Sequence, residues 1–424
     1  MDKGVIKSII AEKHQEISQI KLVKRPVSYE DTLCYVNVGV RRAGKSWLLF
    51  QDILEKATKG EARIQDNLFI NFEDERIADI SSKELGQIID CYQEMFGARK
   101  PVVYLDEIQN VEGWEKFVRR LAEAKYRVMI TGSNAKMLSK EIASTLGGQF
   151  IIREVFTFSW REYLSYNGIV PGKNWEFEPN TKIEIRKSFD EYFYNGGFAE
   201  TFPIAGKREW LTSLLQKILM GDIISRYKIR NDRQLRLLVR KIADNVMRPT
   251  AISRFEHIIK SAGERISLPT VKDYLQYLEE CYLVFSIPNY ASPDSEQETL
   301  RKRYFIDNGL LNLYLYKGET KLLENLVALH LRKSYWDTEE PRLFFYKHGG
   351  VDLDFYIPEA KMGIQASYSL TDQETREREI KALLSFNKAF KLNKALIITY
   401  DQEEIIETDT LTIEVVPIWK WLLI

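Results

Sequence analysis

The sequence predicts an α/β chain led by a phosphate-binding, parallel-sheet domain, and three observations carry that prediction. A loop of the form G-x-x-x-x-G-K-[ST], Gly39-Val40-Arg41-Arg42-Ala43-Gly44-Lys45-Ser46, stands between a short apolar stretch and a helical one. Further on, Pro101-Val102-Val103-Tyr104-Leu105-Asp106-Glu107 is an apolar run that ends in two carboxylates. From residue 33 to residue 156, strand-like and helical stretches alternate, the pattern of a parallel sheet with helices on both faces.

Residues 5–25 space apolar and charged positions at helical intervals, which predicts a solvated helix packed against the sheet domain. Leu33-Cys34-Tyr35-Val36-Asn37-Val38 reads as a strand, and Trp47-Leu48-Leu49-Phe50-Gln51-Asp52-Ile53-Leu54 as the first turns of a helix. That context turns the glycine pattern into a phosphate-binding loop. Backbone N–H groups and the helix dipole favour an anion there. Gly39, Val40, Arg41, Arg42, Ala43, Gly44, Lys45, Ser46 and Trp47 are therefore the expected nucleotide-binding residues. Lys45 is expected to reach the β- and γ-phosphates of a nucleoside triphosphate, and the Ser46 hydroxyl to complete a Mg²⁺ shell.

Asn67-Leu68-Phe69-Ile70-Asn71-Phe72 is strand-like and ends in Glu73-Asp74-Glu75. These acids read equally well as solvated loop charge or as a site from which Glu73 or Asp74 approaches the metal or attacking water. A helix carrying Leu85, Ile88, Ile89, Tyr92 and Phe96 leads to the strand that ends in Asp106 and Glu107, a Walker B pattern. A buried parallel strand reads as a continuous apolar run, and ligands bind where such strands end. Asp106 is expected to orient Mg²⁺, usually through water, and Glu107 to accept a proton from the attacking water or polarise it. Arg127-Val128-Met129-Ile130-Thr131-Gly132-Ser133-Asn134 is a third strand with a small, polar end. Ser133 or Asn134 is the expected γ-phosphate sensor, and Asn134 joins Glu107 and Lys45 as a catalytic candidate. Ile151-Ile152-Arg153-Glu154-Val155-Phe156 supplies a further strand.

At 424 residues the chain calls for about two to four domains. Lys plus Arg and Asp plus Glu are 61 each, so no net charge draws it to nucleic acid or an anionic membrane. DNA binding would need a local patch. Cys34, Cys91 and Cys281 lie far apart and the four histidines are scattered, which indicates neither a disulfide framework nor a zinc site. The first ten residues lack the apolar core of a signal peptide, and no run of about 18 apolar residues occurs. The expectation is a reduced, cytoplasmic protein without a membrane span.

Residues 39–49, 70–75, 102–121, 129–138 and 154–164 together resemble the AAA-type ATPases found widely in bacteria and archaea. In that family the ATPase is fused to a C-terminal domain of unknown function with a restriction-endonuclease-like core. The resemblance spans essentially the whole chain. It implies an ASCE-type P-loop core that takes ATP, a winged-helix middle and a nuclease-like end. One departure stands out. The family often shows Leu-x-Gly-Arg before the last strand, and here the stretch is Leu146-Gly147-Gly148-Gln149. Gln149 cannot supply the positive charge that stabilises a transferring phosphoryl group, and Arg153 would point differently on a strand. Slow hydrolysis, or an arginine from elsewhere, follows.

Residues 157–225 turn helical, with aromatic stretches around Trp160 and Phe189 read as core and interrupted by Asn195-Gly196-Gly197-Phe198. A basic run (Arg226, Lys228, Arg230, Arg233, Arg236, Arg240, Lys241) precedes a helix capped by Ser267 or Thr270. Strand-like Tyr282-Leu283-Val284-Phe285-Ser286-Ile287 follows. Helix, turn, helix and strand resemble a winged helix, a module able to enter a DNA groove. Its exposed face, Lys272, Asp273, Gln276, Glu279 and Glu280, is acid-rich, so packing or protein contact is preferred. Beyond residue 294 the order is similar to the PD-(D/E)XK nuclease core, with Glu324 on the first helix and Asp354 on the strand that bears the aspartate. The (D/E)-x-K triplet is Gln365-Ala366-Ser367 here, which lacks both the second acid and the lysine that such cleavage needs. Glu324, Asp352 and Asp354 are the residual metal ligands of a domain expected to be catalytically degenerate.

The expected organisation is an AAA-type P-loop ATPase domain over 1–165, a helical and winged-helix-like domain over 166–293, and a nuclease-like α/β domain over 294–424. The expected function is Mg²⁺-dependent ATP binding and hydrolysis that drives a conformational switch of the appended domains, with Ser46 and Asp106 at the metal. The rival is a nucleotide-gated protein- or DNA-binding module with little hydrolysis, and a DNA-processing nuclease is the weaker alternative. Besides ATP, a protein partner or self-association through the middle and C-terminal domains is expected.

Overall fold

Five parallel strands organise the N-terminal part of the chain. The computed structural model describes residues 2–133, 146, 148–291, 300–335 and 341–424. It divides into two compact units, Met1–Val155 and Phe156–Ile424. In the first, β1 (Cys34–Val38), β2 (Asn67–Asn71), β3 (Val102–Asp106), β4 (Val128–Gly132) and β5 (Phe150–Glu154) form one sheet in the order β2-β3-β4-β1-β5. Every neighbouring pair is parallel, so all five C-terminal ends share one edge. β1 and β4 are buried at every position, which is why their sequences run apolar rather than alternate.

The covering helices are α1 (Lys3–Gln19), α2 (Lys45–Thr58), α3 (Gly86–Phe96) and α4 (Glu115–Glu123). α1 buries Ile6, Ile9, Ile10, His14 and Ile17, a stripe at helical spacing. It ends at Gln19 rather than near residue 25. Pro26 disfavours helical backbone at Arg25, and the Gln51 side chain instead accepts the Arg25 N–H and donates to its carbonyl. Ile17, Tyr35, Leu49, Ile53, Phe69, Tyr104 and Met129 pack as one core that joins α1 and α2 to the sheet.

The second unit opens with α5 (Trp160–Tyr166), α6 (Pro179–Asn195) and α7 (Lys207–Lys217). Ser159 and Glu162 cap α5 reciprocally. The Trp160 ring meets Tyr163, Phe189 and Tyr192 at 5.5, 5.2 and 5.3 Å, so the aromatic stretches are core. Next come α8 (Asp232–Asp244), β6 (Thr250–Ala251), α9 (Ile252–Ser261), α10 (Leu268–Glu280), β7 (Val284–Pro288) and β8 (Leu300–Phe305). The three strands form an antiparallel sheet in the order β6-β8-β7. Ser267 caps α10 by accepting the Thr270 N–H. β8 lies beyond residue 293, the boundary expected between the middle and last domains, and pairs with β7 through Arg303 opposite Ser286.

The remainder comprises α11 (Asn308–Asn312), α12 (Glu319–Tyr335), β9 (Phe344–His348), β10 (Val351–Ile357), β11 (Met362–Ala366), α13 (Gln373–Phe390), β12 (Lys394–Thr399), β13 (Glu404–Glu407), β14 (Thr412–Pro417) and α14 (Ile418–Trp421). Its six strands lie in the order β13-β14-β12-β11-β10-β9. The sheet is mixed: β11, β12 and β14 run parallel, and the other pairs are antiparallel. Leu383 and Phe386 of α13 pack with Tyr356, Ile397 and Val415 of the sheet. Among the described residues no helix is long and apolar enough to cross a membrane.

Candidate functional site

The turn from β1 into α2 sets the site. Gly39 has φ +150°, and a Cβ there would meet the Val155 carbonyl oxygen at 2.2 Å, so only glycine lets the loop pass the end of β5. Gly44, at φ +91°, leads into α2, whose first turn has no side-chain cap. Its N–H groups, at the positive end of the helix dipole, point where an anion binds.

Three elements meet in front of that loop. The buried Lys45 ammonium lies 3.1 Å from the Gly39 carbonyl oxygen, 3.2 Å from that of Val40 and 3.5 Å from Glu107 Oε1. Ser46 Oγ donates toward both Asp106 oxygens, at 3.0 and 2.8 Å. Thr131 of β4 donates to Asp106 Oδ1 at 2.5 Å and accepts the Glu107 N–H at 2.9 Å. Gln109 Nε2 donates to Glu107 Oε2 at 2.5 Å. Glu107 itself has φ +53°, a left-handed conformation that costs energy in a non-glycine residue.

The two acids titrate apart. Burial and the adjacent Glu107 charge push the Asp106 carboxyl up to about 6, against hydrogen bonds from Thr131 and Ser46. Burial also pushes Glu107 upward, but Lys45, Gln109 and Arg41 together outweigh it and leave its pKa lowered. A serine hydroxyl and an aspartate carboxylate are hard oxygen donors of the kind Mg²⁺ takes while keeping several waters. With the loop N–H groups and Lys45 beside them, these residues fit a Mg²⁺-bound triphosphate.

The other expected residues fall as follows. Val40 and Ala43 are buried in the loop. Arg41 donates to Glu73 Oε1 at 2.6 Å, and Arg42 takes a positive φ of 66°. Trp47 is 48% exposed and its ring rests 6.0 Å from Phe50. Ser133 is buried, with its Oγ 3.5 Å from Gln109 Nε2. Asn134 lies outside the described residues. The open alternative over Glu73 and Asp74 divides: Asp74 accepts from the Arg76 N–H and pairs with its guanidinium, whereas Glu73 reaches the loop. Gln149 is exposed just before β5. Arg153 is committed elsewhere, over the Tyr29 and Tyr35 rings and onto the Ser28 carbonyl.

Sequence reasoning missed Thr131, Gln109 and Arg25. A lone polar residue late in the apolar strand was the available signal for Thr131. Nothing signalled buried Arg25, which donates to the Ala43 carbonyl of the loop at 3.0 Å.

In the second unit Glu324 and Asp354 do converge, and on a lysine the sequence did not single out. Lys302 Nζ of β8 is buried 3.1 Å from Glu324 Oε1 and 2.8 Å from Asp354 Oδ1. Tyr304 donates to the same Glu324 oxygen at 2.7 Å. Gln365 accepts the Asp354 N–H and donates to Glu379 Oε2. Asp352 is apart from them, paired with Lys347 in solvent. Among the described residues no three His, Cys, Asp or Glu side chains gather as metal ligands.

Residues 32–164 match the AAA domain family, residues 186–321 a domain of unknown function (DUF8612), and residues 319–421 another (DUF4143). Over 436 aligned residues the chain is 33% identical to the uncharacterized protein MJ1544 of Methanocaldococcus jannaschii, covering 99% of this chain and 96% of that one. The chain belongs to that protein's family. An uncharacterized Haemophilus influenzae protein is 27% identical over 96% of this chain and 98% of its own. The solved structures it is similar to include the Walker-type ATPase PABY2304 of Pyrococcus abyssi, at 15% identity and TM-score 0.38, over 74% of this chain and 95% of that one. They also include the Aeropyrum pernix Orc1 protein in complex with DNA, at 14% identity and TM-score 0.28, over 77% and 93%. This chain thus carries an AAA P-loop domain ahead of two further matched regions.

Proposed function

We propose that the chain binds ATP with Mg²⁺ and hydrolyses it, and that hydrolysis switches the arrangement of the appended domains. The direct link between Ser46 of the loop and Asp106 of β3 carries this reading. Lys45 and the loop N–H groups hold the β- and γ-phosphates, and Ser46 and Asp106 hold the metal. The metal supplies neutralisation of charge on the phosphates. Glu107, kept ionised by Lys45, Gln109 and Arg41, accepts the proton of an attacking water. Thr131 and Gln109 hold it in place. The test is steady-state ATP turnover with Mg²⁺, comparing wild type with Lys45→Ala, each with and without duplex DNA. Turnover that depends on Lys45 is expected.

The exposed Gln149 and the commitment of Arg153 favour a second reading, a nucleotide-gated binding module with little hydrolysis. Tight ATP binding without turnover would select it. The order of α8, β6, α9, α10, β7 and β8 supports a winged-helix-like middle. Four of the seven residues of its basic run are met by nearby acids: Arg226 by Asp222, Arg233 by Glu264, Arg236 by Asp232, Lys241 by Asp244. That supports protein contact or packing over DNA. α12, β9 to β12 and α13 support a nuclease-like last domain. Lys302 takes the space between Glu324 and Asp354, which supports the loss of cleavage.

A further inference from the structure

The ion pair between Arg41 and Glu73 joins the phosphate-binding loop to the segment after β2. Arg41 belongs to the loop after β1, and Glu73 stands two residues past the end of β2. In the sheet, β4 and β3 lie between those two strands. The pair therefore bridges three inter-strand intervals, roughly 14 Å, along the edge where β3 presents Asp106 and Glu107 and β4 leads to Ser133. Its two ends are unequally buried: the Arg41 side chain is 14% exposed and that of Glu73 42%.

Glu73 is placed rather than loosely attached. The side chain of Asn71, which is in register with Asp106 across β2 and β3, accepts the Glu73 N–H at 2.8 Å. The Arg41 charge is also close enough to Glu107 to help lower its pKa. Gln149 offers no charge and Arg153 is held over Tyr29, while Arg41, among the described residues, is a cation of the loop that lies along this edge beside Lys45.

We propose that Arg41 reads the γ-phosphate, with Glu73 and the terminal phosphate of ATP competing for its guanidinium. This rests on the nucleotide-site reading above. A half-exposed carboxylate holds an arginine weakly, whereas a phosphate presents more charge and accepts the guanidinium fork in a bidentate way. Only the triphosphate places that oxygen set beyond the β-phosphate, so Arg41 distinguishes ATP from ADP. Exchange frees Glu73 at the end of β2, which passes the nucleotide state to the sheet edge.

The experiment measures ATP and ADP affinity of the full chain with Mg²⁺ by displacement of a fluorescent ADP analogue, for wild type, Arg41→Ala, Arg41→Lys, Glu73→Gln and Lys45→Ala. Arg41→Ala should weaken ATP binding at least about tenfold more than ADP binding. Arg41→Lys should restore part of the difference, since it keeps the charge but not the fork. Glu73→Gln should tighten ATP binding relative to ADP. ADP binding reports that each variant still folds its loop, and Arg41→Lys and Glu73→Gln carry the test should Arg41→Ala fail to fold. Equal effects on ATP and ADP, or Glu73→Gln weakening ATP, overturn the proposal while leaving a nucleotide site intact. Wild type that binds no ATP, or binding that survives Lys45→Ala, overturns the nucleotide reading and this proposal with it.

Discussion

Thr131 donates its hydroxyl to Asp106 and accepts the backbone N–H of Glu107, so one side chain of β4 ties down both acids at the end of β3. Thr131→Val keeps the shape of that side chain and removes both bonds. It leaves a buried N–H unpaired at a residue already at positive φ, at a cost of about 1–3 kcal/mol. The expected outcome is an earlier thermal transition of the N-terminal unit and ATP turnover reduced about tenfold or more, read by melting and steady-state assay.

Asp106 sets a pH dependence whose sign is fixed by its raised pKa. Burial and Glu107 move it from 3.8 to about 6, so folding favours its protonated form. Its stabilising contribution is complete below pH 3.8 and is lost as pH rises through about 6. Asp106→Asn cannot ionise, so its melting temperature should gain on wild type as pH rises through that window. Metal binding runs the other way because it needs the carboxylate. The Mg²⁺-dependent gain in wild-type ATP affinity should fall about tenfold per pH unit below about 6, and should vanish in Asp106→Asn at every pH.

Gly39→Ala tests the loop geometry. Its Cβ would overlap the Val155 carbonyl oxygen, at a φ that alanine rarely adopts. Strain and overpacking together predict a loss on the order of 3 kcal/mol, with nucleotide binding lost in parallel. Chemical denaturation and nucleotide titration of the same sample check both.

Lys302→Met removes the ammonium held between Glu324 and Asp354. Breaking a buried pair by deleting one partner costs about 3–5 kcal/mol. Adding Glu324→Gln should recover part of that, because one stranded carboxylate becomes neutral. Denaturation curves of the single and double variants give the comparison.

The P-loop domain was legible because its signals are local. Gly39, Gly44, Lys45 and Ser46 lie in one turn, and Asp106 and Glu107 end one apolar strand. Thr131 was not, since its two partners are 25 and 24 residues away in sequence and the pairing needs the β3–β4 register. The link from Arg41 to Glu73 depends on strand order, which the motif does not contain. Lys302 sits between Arg301 and Arg303, with nothing local to mark it out from them, yet β8 turns it inward onto acids from α12 and β10. The converging pair Glu324 and Asp354 was visible in sequence, whereas the cation they share was not.

Single-turnover hydrolysis by Glu107→Gln, set beside its ATP affinity, tests the central claim most directly. An ATPase in which Glu107 accepts the proton of water predicts ATP binding near that of wild type and turnover lowered by about 100-fold or more. Turnover in Glu107→Gln equal to that of wild type, or none in either, would contradict it.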